Sequence, residues 1–495
     1  MPEETSLAEP AGWLLEQARR RRNGAAETLP AVIRDGSWHK TMVSAAGTMR
    51  RRGFSEPATL AALVAENAGK YEGAIPATSD EELADLVADV YERYEAVQAV
   101  ELERRYDGAP RELAEVVATF RRFLYLPNPT AVHVVLATAI ANRIPEGDPV
   151  WVVIVAGSSR GKTELLLALD GCEGVRVVGA LTVAALLSGT SRKDRSKNAS
   201  GGVLVEIGEE GLLVVKDFGA ILSLHRDTRA QVLQALRDVY DGRYNRDVGA
   251  DGGTRLEWRG RIGLLAGATS ALDQAHAALS ALGERWLTVR LEPGDEADMA
   301  KLTLRGVDTA AMRAELREAV QGFLASVDVP ALRLLGDDEE NLLASLAVLV
   351  CFARSPVERE RDYKREIVLV HQPEGPGRMA RQLHKLFVSL EAMGVEAART
   401  LVHVGLDSIP TPRREVLLHL LEAGGELATS DVARGLQLPR TSARRALEEL
   451  AAHGLLSWRK EGDGDRDAYL WRASSFALSH WTHIAPWREN RMVER

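Results

Sequence analysis

The sequence predicts an α/β protein in which a parallel sheet forms the core and helical regions precede and follow it. Between residues 150 and 292, short runs of Val, Leu and Ile alternate with helical segments, a pattern typical of a parallel sheet covered on both faces. A loop of small residues follows the first run, and a helix with apolar spacing follows that loop. The predicted strands are 150–155, 174–178, 212–215, 261–266 and 286–291.

The length of the chain predicts several domains. At 495 residues, of which 45% are hydrophobic, the chain is too long for one compact core, and we expect about three or four domains. Turn residues separate blocks that differ in hydrophobic periodicity. The predicted domains are a helical N-terminal region at 1–125, the sheet core at 126–296, an almost wholly helical lid at 297–405, a small helix-and-strand domain at 406–476 and a tail at 477–495.

Composition limits the compartment and the class of protein. Cys172 and Cys351 lie far apart in the sequence, which predicts neither a disulfide framework nor a zinc site, and favours the reducing cytoplasm. The longest apolar stretches, such as residues 342–353, are shorter than the ~20 residues that a membrane span needs, so we expect no membrane contact. The net charge of -9 argues only weakly against nucleic acid, because basic residues concentrate at 13–53 and acidic ones at 80–103.

Helix signals mark the N-terminal region. The segment "EPATLAALVAEN" has apolar residues at helical intervals and Pro57 in its first turn. In "TSDEELADLVADVYERY", Thr78 or Ser79 precedes acidic first-turn residues, which suit the positive end of a helix dipole. We therefore predict a helix for each segment.

The loop after the first strand, "AGSSRGKT", has the spacing of a Walker A phosphate loop, with alanine in place of the first glycine. Small residues let consecutive backbone N–H groups surround phosphate oxygens, Lys162 reaches the terminal phosphates, and Thr163 supplies a magnesium ligand. The alternative is an ordinary glycine turn. The cofactors that we expect are ATP and Mg²⁺, and the predicted nucleotide-binding residues are Ala156, Gly157, Ser158, Ser159, Arg160, Gly161, Lys162 and Thr163.

A carboxylate for the metal follows the third predicted strand. In "GLLVVKDFGAIL", four apolar residues lead to Asp217, which a buried strand would bring to the magnesium ion. Many related enzymes have a glutamate directly after this aspartate, to polarise the attacking water, whereas this chain has Phe218. Glu206, in the strand-like run "VLVEI", is the candidate general base, and the alternative is a solvent-facing strand residue.

The fourth predicted strand, in "RIGLLAGATSALD", ends in small polar residues. Thr269 or Ser270 would lie at its C-terminal end beside the phosphates, where a polar side chain can sense the terminal phosphate. The alternative for either residue is a plain strand-to-loop turn.

The order of these pieces resembles that of AAA+ ATPases, and most closely their helicase branch, which includes the minichromosome-maintenance helicases. The resemblance covers roughly residues 130–400. It implies that Arg285, in Glu284-Arg285-Trp286, is an arginine finger that acts on the nucleotide of a neighbouring subunit, within a ring that we expect to be a hexamer. The alternative for Arg285 is a salt bridge with Glu284 or another carboxylate.

The resemblance also implies a second sensor arginine at the start of a lid helix. In "PGRMARQLHKLFVSLEAMG", Arg381 matches this position, and Arg378 is the other choice one turn earlier.

The segment "DGRYNRDVGADGGTRLEWRGR" reads as a β-hairpin, because Asp-Gly and Gly-Gly turn signals lie between two β-like arms. In the helicases that the chain resembles, a hairpin before the sensor strand projects into the central channel and touches the nucleic acid backbone. An exposed hairpin with ordinary surface arginines is the alternative. The arginines that would follow the phosphates are Arg243, Arg246, Arg255 and Arg259.

The C-terminal region resembles a winged helix-turn-helix. Residues 414–471 contain three helical segments and then a pair of strand-like runs around a Gly-Asp-Gly tip. Arg440, Arg444 and Arg445 lie in the third helix, where a recognition helix faces DNA. The alternative is a domain that docks to protein.

The N-terminal segment "IRDGSWHKTMVSAAGTMRRRGFS" resembles the primase C-terminal module of mobile-element replication proteins over about 45 residues. We expect no catalytic primase before it in this chain, so the primase is either a separate protein or absent, and a separate primase or polymerase would be a partner. Together the resemblances imply an ATP-driven, ring-forming DNA helicase or translocase for replication of a plasmid, phage or integrative element, acting on single-stranded or forked DNA. The alternatives are a loader or nucleotide-dependent switch, and a winged-helix transcription regulator with an ATPase domain.

Overall fold

The computed structural model describes residues 55–69, 79–93, 108–188, 201–248, 254–273, 285–292, 294–305, 308–360, 365–462 and 468–488, together with Met42, Val43, Ala45, Ala46 and Met49. The chain forms two compact units, Met1–Leu102 and Glu103–Arg495. The larger unit holds every predicted strand and every candidate site residue.

The N-terminal unit contains the two helices that the capping signals predict. Helix α1 spans Glu56–Gly69 and helix α2 spans Asp80–Arg93. Met42, Leu63 and Leu83 are fully or almost fully buried in one small hydrophobic cluster, so these helices pack together as an independent core. The segment with the primase resemblance, residues 33–55, lies almost wholly outside the described residues.

The predicted boundary at residue 125 differs from the structural division. Helix α3, Leu113–Phe123, belongs to the larger unit, where Val116 and Phe120 are buried in its main core. Arg111 binds Glu318 at 3.1 Å, which also ties this segment to the helical region that follows the sheet.

The core of the larger unit is a five-stranded parallel sheet, and all five predicted strands are confirmed. The strand order is β2-β3-β6-β1-β7, so the first strand lies between the last two. These strands are β1 Trp151–Val155, β2 Val175–Val178, β3 Glu210–Val215, β6 Arg261–Ala268 and β7 Leu287–Arg290. Because every strand runs in the same direction, all five carboxyl ends lie along one edge of the sheet.

Alternation along β1 explains why the strand is apolar throughout. Val152 and Ile154 pack into one hydrophobic cluster, whereas Trp151, Val153 and Val155 pack into the other cluster on the opposite face. All five residues are buried, as expected for a central strand with helices on both sides.

Helices cover the sheet, and a hairpin lies between strands β3 and β6 in the sequence. Helix α4, Thr130–Ala141, precedes β1. The helices between β1 and β6 are α5 Lys162–Leu167, α6 Val183–Leu186, α7 Val203–Ile207, α8 Phe218–Leu222 and α9 Arg226–Tyr240. The predicted hairpin is confirmed: β4 Arg243–Val248 pairs antiparallel with β5 Thr254–Arg259. Its tip lies outside the described residues.

The region after the sheet is mainly helical, as predicted, but it also contains a hairpin that the sequence pattern does not predict. Strands β8 Val357–Arg359 and β9 Ile367–Val370 pair antiparallel. The helices are α10 Glu296–Leu304, α11 Thr309–Ser326, α12 Asp337–Arg354, α13 Gly377–Ala392 and α14 Ala397–Asp407.

The C-terminal domain has a helix-turn-helix with a wing. Helices α15 Thr411–Ala423, α16 Thr429–Gly435 and α17 Arg440–Ala452 precede a three-stranded antiparallel sheet. Its strands, in the order β10-β12-β11, are Leu427–Ala428, Tyr469–Ala473 and Leu456–Lys460. Trp471 Nε1 donates to the Thr429 hydroxyl at 2.9 Å and so fixes the wing against the second helix. A final helix α18, Ser475–Ile484, follows the wing.

Among the described helices, none combines the length and the apolar character needed to cross a bilayer.

Candidate functional site

Three candidate residues follow neighbouring strands at the carboxyl edge of the sheet. Lys162 follows β1, Thr269 follows β6 and Asp217 follows β3. Strand β6 pairs with both β1 and β3, so Thr269 lies between the other two along the edge. The topology thus brings together the loop, the candidate metal carboxylate and the candidate sensor, as expected for a site at the carboxyl ends of parallel strands.

Backbone geometry explains the composition of the loop at 156–163. Gly161 has φ +80° and caps helix α5, and a Cβ at that position would lie 3.4 Å from the Leu124 side chain in a strained conformation. Ser159 also has a positive φ, of 59°. Left-handed residues at both positions turn the chain back sharply before the helix begins, which suits a phosphate cradle.

The Lys162 ammonium lies inside the curve of this loop. Its Nζ donates to the carbonyl oxygens of Ala156 at 3.0 Å and Gly157 at 2.7 Å. Burial lowers the pKa of Lys162, and the Asp217 carboxylate opposes this shift. A phosphate group in the loop would offer Nζ stronger, charged acceptors than two carbonyl oxygens.

Thr163 and Asp217 are both exposed at this edge, as magnesium ligands must be. Asp217 caps helix α8, and its Oδ1 accepts from the Ala220 N–H at 3.2 Å, which leaves lone pairs on both oxygens. Within the described residues no cluster of three or more His, Cys, Asp or Glu side chains is positioned for a metal. One hydroxyl and one carboxylate suit Mg²⁺, which is commonly bound through one or two protein groups, substrate phosphates and water.

The residue after Asp217 points away from the site. Phe218 is fully buried, and its ring packs against Trp286 with centroids 5.1 Å apart. The backbone therefore directs this position into the core below the sheet. A glutamate there would bury an unpaired charge, so the absence of the usual acid has a structural cause.

The strand predicted for "VLVEI" is wrong, because residues 203–207 form helix α7. Gly202 and Gly208, with φ of 118° and 88°, bound this helix on both sides, and Leu204 and Ile207 are buried at helical spacing. Glu206 Oε2 accepts from Arg176 Nε at 2.6 Å. The candidate general base is thus held by an arginine of strand β2.

Thr269 and Ser270 follow β6 directly, and Thr269 is the less exposed of the two. The Thr269 hydroxyl accepts from the Ala271 N–H at 3.4 Å, within the turn that starts the next segment. Arg160, in the loop at 156–163, forms an ion pair with Glu296 at the start of helix α10. The lid region thus contacts the loop directly.

Arg285 lies at the opposite edge of the sheet, just before β7. Its Nη2 donates to both carboxylate oxygens of Asp241, each at 3.0 Å, and only 8% of the side chain is exposed. The geometry is that of the salt-bridge alternative, with Asp241 as the partner; Glu284 lies outside the described residues. Because β1 alone is about 13 Å long, Arg285 is too far from the loop at 156–163 of its own chain to act there.

Arg381 lies at this same amino edge. Its guanidinium binds the Asp148 carboxylate at 2.8 Å, and Asp148 is three residues before the start of β1. Of its side chain, 59% is exposed. Arg378, the alternative, binds Glu374 at 2.8 Å and is only 29% exposed. The two arginines predicted from the resemblance, Arg285 and Arg381, therefore share one edge, and the loop at 156–163 occupies the other.

Lys385 is buried next to Arg381, one helical turn along α13. Its Nζ donates to the carbonyl oxygens of Ile144 at 3.1 Å and Asp148 at 3.2 Å, which fixes the loop before β1. Burial, together with the nearby Arg261 charge, lowers the pKa of Lys385 to about 7.

We expect Lys385→Met to change how stability depends on pH. From pH 7 to 9 the unfolded chain holds a proton on Lys385 that the folded chain has released, so the stability of the wild type rises relative to the variant. Urea unfolding should show a relative gain of ~2 kcal/mol between these pH values. Lys301→Met, which removes an exposed lysine, should show no such change, and a pH-independent difference for Lys385→Met would contradict the prediction.

The hairpin divides its four candidate arginines between two faces. Tyr244 and Trp258 are opposite each other and buried, and Arg246 shares their face. Arg246 donates to the Leu187 carbonyl, and Trp258 Nε1 donates to the Gly208 carbonyl at 2.8 Å, so this face holds the hairpin on the domain. The exposed side chains of the other face include Arg243, Arg255 and Arg259.

The third helix of the C-terminal domain exposes Arg440 and Arg444, whereas Arg445 is half-buried. Arg444 Nε donates to Glu448 at 2.7 Å, one turn along the helix. Arg359 of strand β8 also binds Glu448, at 3.0 Å, on the side of the helix that faces the lid hairpin. The N-terminal part of the helix therefore provides the exposed cations.

Several residues at the amino edge have roles that the sequence did not suggest. Tyr240 and Asp241, at the end of helix α9, contact Arg285, and Asp148 contacts Arg381. Gln382 donates hydrogen bonds to the Tyr240 hydroxyl and to the Arg285 carbonyl. No motif marks these residues, because each acts through a partner distant in the sequence.

The comparisons with known proteins identify one part of the chain. Residues 415–460 match the IclR helix-turn-helix domain. Among curated proteins, none matches the chain. Two apo structures of the NrS-1 C-terminal region are similar at TM-scores of 0.29 and 0.27, with 10% and 12% identity, and each comparison covers 50% of this chain. The chain spans only 57% of the length of each of these structures.

Proposed function

We propose that this chain is an ATPase of the AAA+ helicase branch that assembles head to tail and moves along DNA, as a helicase or translocase for replication of a plasmid, phage or integrative element. One observation carries the proposal: the phosphate loop and Asp217 lie on one edge of the sheet, while Arg285 and Arg381 lie on the other. Head-to-tail contact between copies brings the second edge of one copy to the first edge of the next, and such contacts close into rings.

The nucleotide edge supports ATP as the substrate. Lys162 would exchange the Ala156 and Gly157 carbonyls for the terminal phosphates, and Thr269 would hydrogen-bond the γ-phosphate. Thr163 and Asp217 would hold Mg²⁺, which neutralises charge on the β- and γ-phosphate oxygens when bound.

The arginine edge would complete the site of a neighbouring copy. Arg381 is exposed and can reach a neighbour after leaving Asp148, whereas Arg285 must also leave a buried position. A guanidinium placed at the γ-phosphate stabilises charge in the transition state. Arg285 stays a candidate finger, and Arg381 is the more accessible cation.

DNA is the partner that the remaining surfaces support. The helix-turn-helix match at 415–460 and the exposed Arg440 and Arg444 favour contact with duplex DNA. The exposed hairpin face favours contact with a phosphate backbone, which needs no sequence readout.

The test is ATP hydrolysis with and without single-stranded DNA, alongside unwinding of a forked duplex. We expect single-stranded DNA to stimulate hydrolysis. We also expect a helicase to unwind the forked duplex, whereas a translocase would move along DNA without unwinding it. The absence of Mg²⁺-dependent ATP binding would contradict the proposal.

A second function, a loader or nucleotide-dependent switch, is favoured by one observation. Phe218 is buried at the position where related enzymes carry the acid that polarises water, and Glu206 is paired with Arg176. ATP binding that changes assembly, with hydrolysis absent both with and without DNA, would favour the switch.

The exposed hairpin face makes a separate prediction about DNA affinity. Replacing Arg243 and Arg259 with Gln should weaken single-stranded DNA binding about tenfold and reduce the salt dependence of log K by about 1.4, because each phosphate contact on a single strand contributes about 0.7. Arg305→Gln, which removes an exposed arginine of the lid region, is the control and should leave both quantities unchanged. Titrations at several salt concentrations measure both, and an unchanged salt slope in the double variant would exclude this face from the DNA contact.

A further inference from the structure

The hairpin begins shortly after two residues that contact Arg285 at the amino edge of the sheet. Helix α9 ends at Tyr240, Asp241 follows it, and strand β4 begins at Arg243. Asp241 holds Arg285 through both carboxylate oxygens at 3.0 Å. The base of the candidate DNA-contacting hairpin is thus bonded to a candidate nucleotide-contacting arginine.

The Tyr240 ring connects the same arginine to helix α13. Arg285 lies over the ring at 5.2 Å from its centroid and Arg378 at 5.6 Å. Gln382 Nε2 donates to the Tyr240 hydroxyl at 2.7 Å and also to the Arg285 carbonyl at 3.0 Å. Below them, the Trp151 ring packs edge-on against Tyr240, with centroids 5.1 Å apart. Cation–π contacts and a buried hydrogen bond therefore fix Tyr240 in one orientation.

The Asp241–Arg285 pair is asymmetric in a way that suits exchange of partners. Arg285 is 8% exposed, whereas Asp241 is 57% exposed, so loss of the pair leaves the Asp241 carboxylate hydrated instead of buried and unpaired. A terminal phosphate carries more charge and more acceptor oxygens than one carboxylate, so it competes effectively for a guanidinium.

We propose that Asp241 is a positioning residue that holds Arg285 away from a neighbour's nucleotide, and that exchange of Arg285 from Asp241 to that nucleotide releases the base of the hairpin. This inference rests on the head-to-tail ATPase proposed above. It links nucleotide state in one copy to hairpin position in the next through one ion pair. Tyr240 keeps Arg285 aligned while the exchange occurs.

Amide hydrogen exchange tests both the site and the link. Wild-type protein, Asp241→Asn, Asp241→Glu and the control Asp238→Asn are compared with and without ATPγS and Mg²⁺. Asp238 lies one turn earlier on the same helix, where it accepts a hydrogen bond from Gln234. In the wild type, ATPγS should slow exchange at residues 156–163 and speed exchange about threefold at residues 241–243 and 260–261.

The variants should separate the link from a structural role. Asp241→Asn should show the faster hairpin-base exchange without nucleotide, about tenfold over wild type, while Asp241→Glu and Asp238→Asn stay near the wild type. Hydrolysis without DNA should rise about threefold in Asp241→Asn, so that the stimulation of hydrolysis by DNA falls by the same factor. If Asp241 had only a structural role, its replacement would lower hydrolysis both with and without DNA.

Each contrary result has a distinct meaning. Slower exchange at 156–163 with no change at the hairpin base, in the wild type and in Asp241→Asn, would overturn the link and leave the proposed ATPase intact. No slowing at 156–163 would overturn the proposed function and the link together. If Asp241→Asn does not fold, the wild-type response to ATPγS at 241–243 decides alone: an increase supports the link and its absence overturns it.

Discussion

Lys162→Ala should lose ATP hydrolysis by at least ~100-fold, the loss that accompanies removal of one charge-stabilising donor from an active site. The Lys162 ammonium already lies inside the curve of the loop at 156–163, where it donates to the Ala156 and Gly157 carbonyl oxygens. The variant should keep its fold, because the side chain bonds only two carbonyl oxygens of an exposed loop. Steady-state phosphate release, with and without single-stranded DNA, measures the effect.

Lys301→Ala removes an exposed lysine of helix α10 and serves as the control. It should hydrolyse ATP at the wild-type rate. Lys162→Ala that retains wild-type hydrolysis would mean that the loop at 156–163 does not bind the reacting phosphate.

Arg381→Ala should lower hydrolysis by about 1,000-fold or more, the lower end of the range for arginine fingers that stabilise phosphoryl transfer. The side chain is largely exposed and bonds only Asp148 in the described structure, so its removal should change the thermal midpoint little. Because Arg381 lies at the amino edge of the sheet, its effect on the reaction requires a second copy. The loss should therefore appear in turnover and not in ATP affinity of dilute, unassembled protein.

Asp148→Asn is the matched variant for Arg381→Ala. It breaks the same ion pair but retains the cation, so hydrolysis should stay near the wild-type rate. Equal losses in the two variants would indicate that the pair only supports the fold.

The sheet was predictable because its strands are short apolar runs that turn residues bound on both sides. A strand that is buried on both faces must be apolar at every position, and β1 has buried apolar residues on both of its faces. The backbone shape of the loop at 156–163 was predictable for a similar reason: positive φ at Gly161 and a helix start at Lys162 follow from the local sequence.

The short helix at 203–207 was not predictable, because a five-residue segment with four apolar residues fits a strand and a helix equally well. Only the packing of Leu204 and Ile207 against the sheet selects the helix. The hairpin at 357–370 has strands of three and four residues, too short for a clear period.

The partners of the arginines could not be predicted from the sequence either. Asp241 and Arg285 are separated by a hairpin and a sheet strand, and Asp148 and Arg381 by more than two hundred residues. Charge alone does not choose between such partners. The sequence therefore predicts candidate residues for the chemistry, and the fold determines which edge of the sheet each of them occupies.

Mixing two inactive variants tests the shared site most directly. Lys162→Ala lacks the phosphate-binding cation but keeps Arg381, and Arg381→Ala keeps Lys162. In an equimolar mixture that assembles at random, roughly a quarter of the sites pair an intact loop with an intact arginine edge, so about a quarter of wild-type hydrolysis should return. Failure to regain hydrolysis at any mixing ratio, with both variants folded and able to assemble, would contradict a site formed between neighbouring copies.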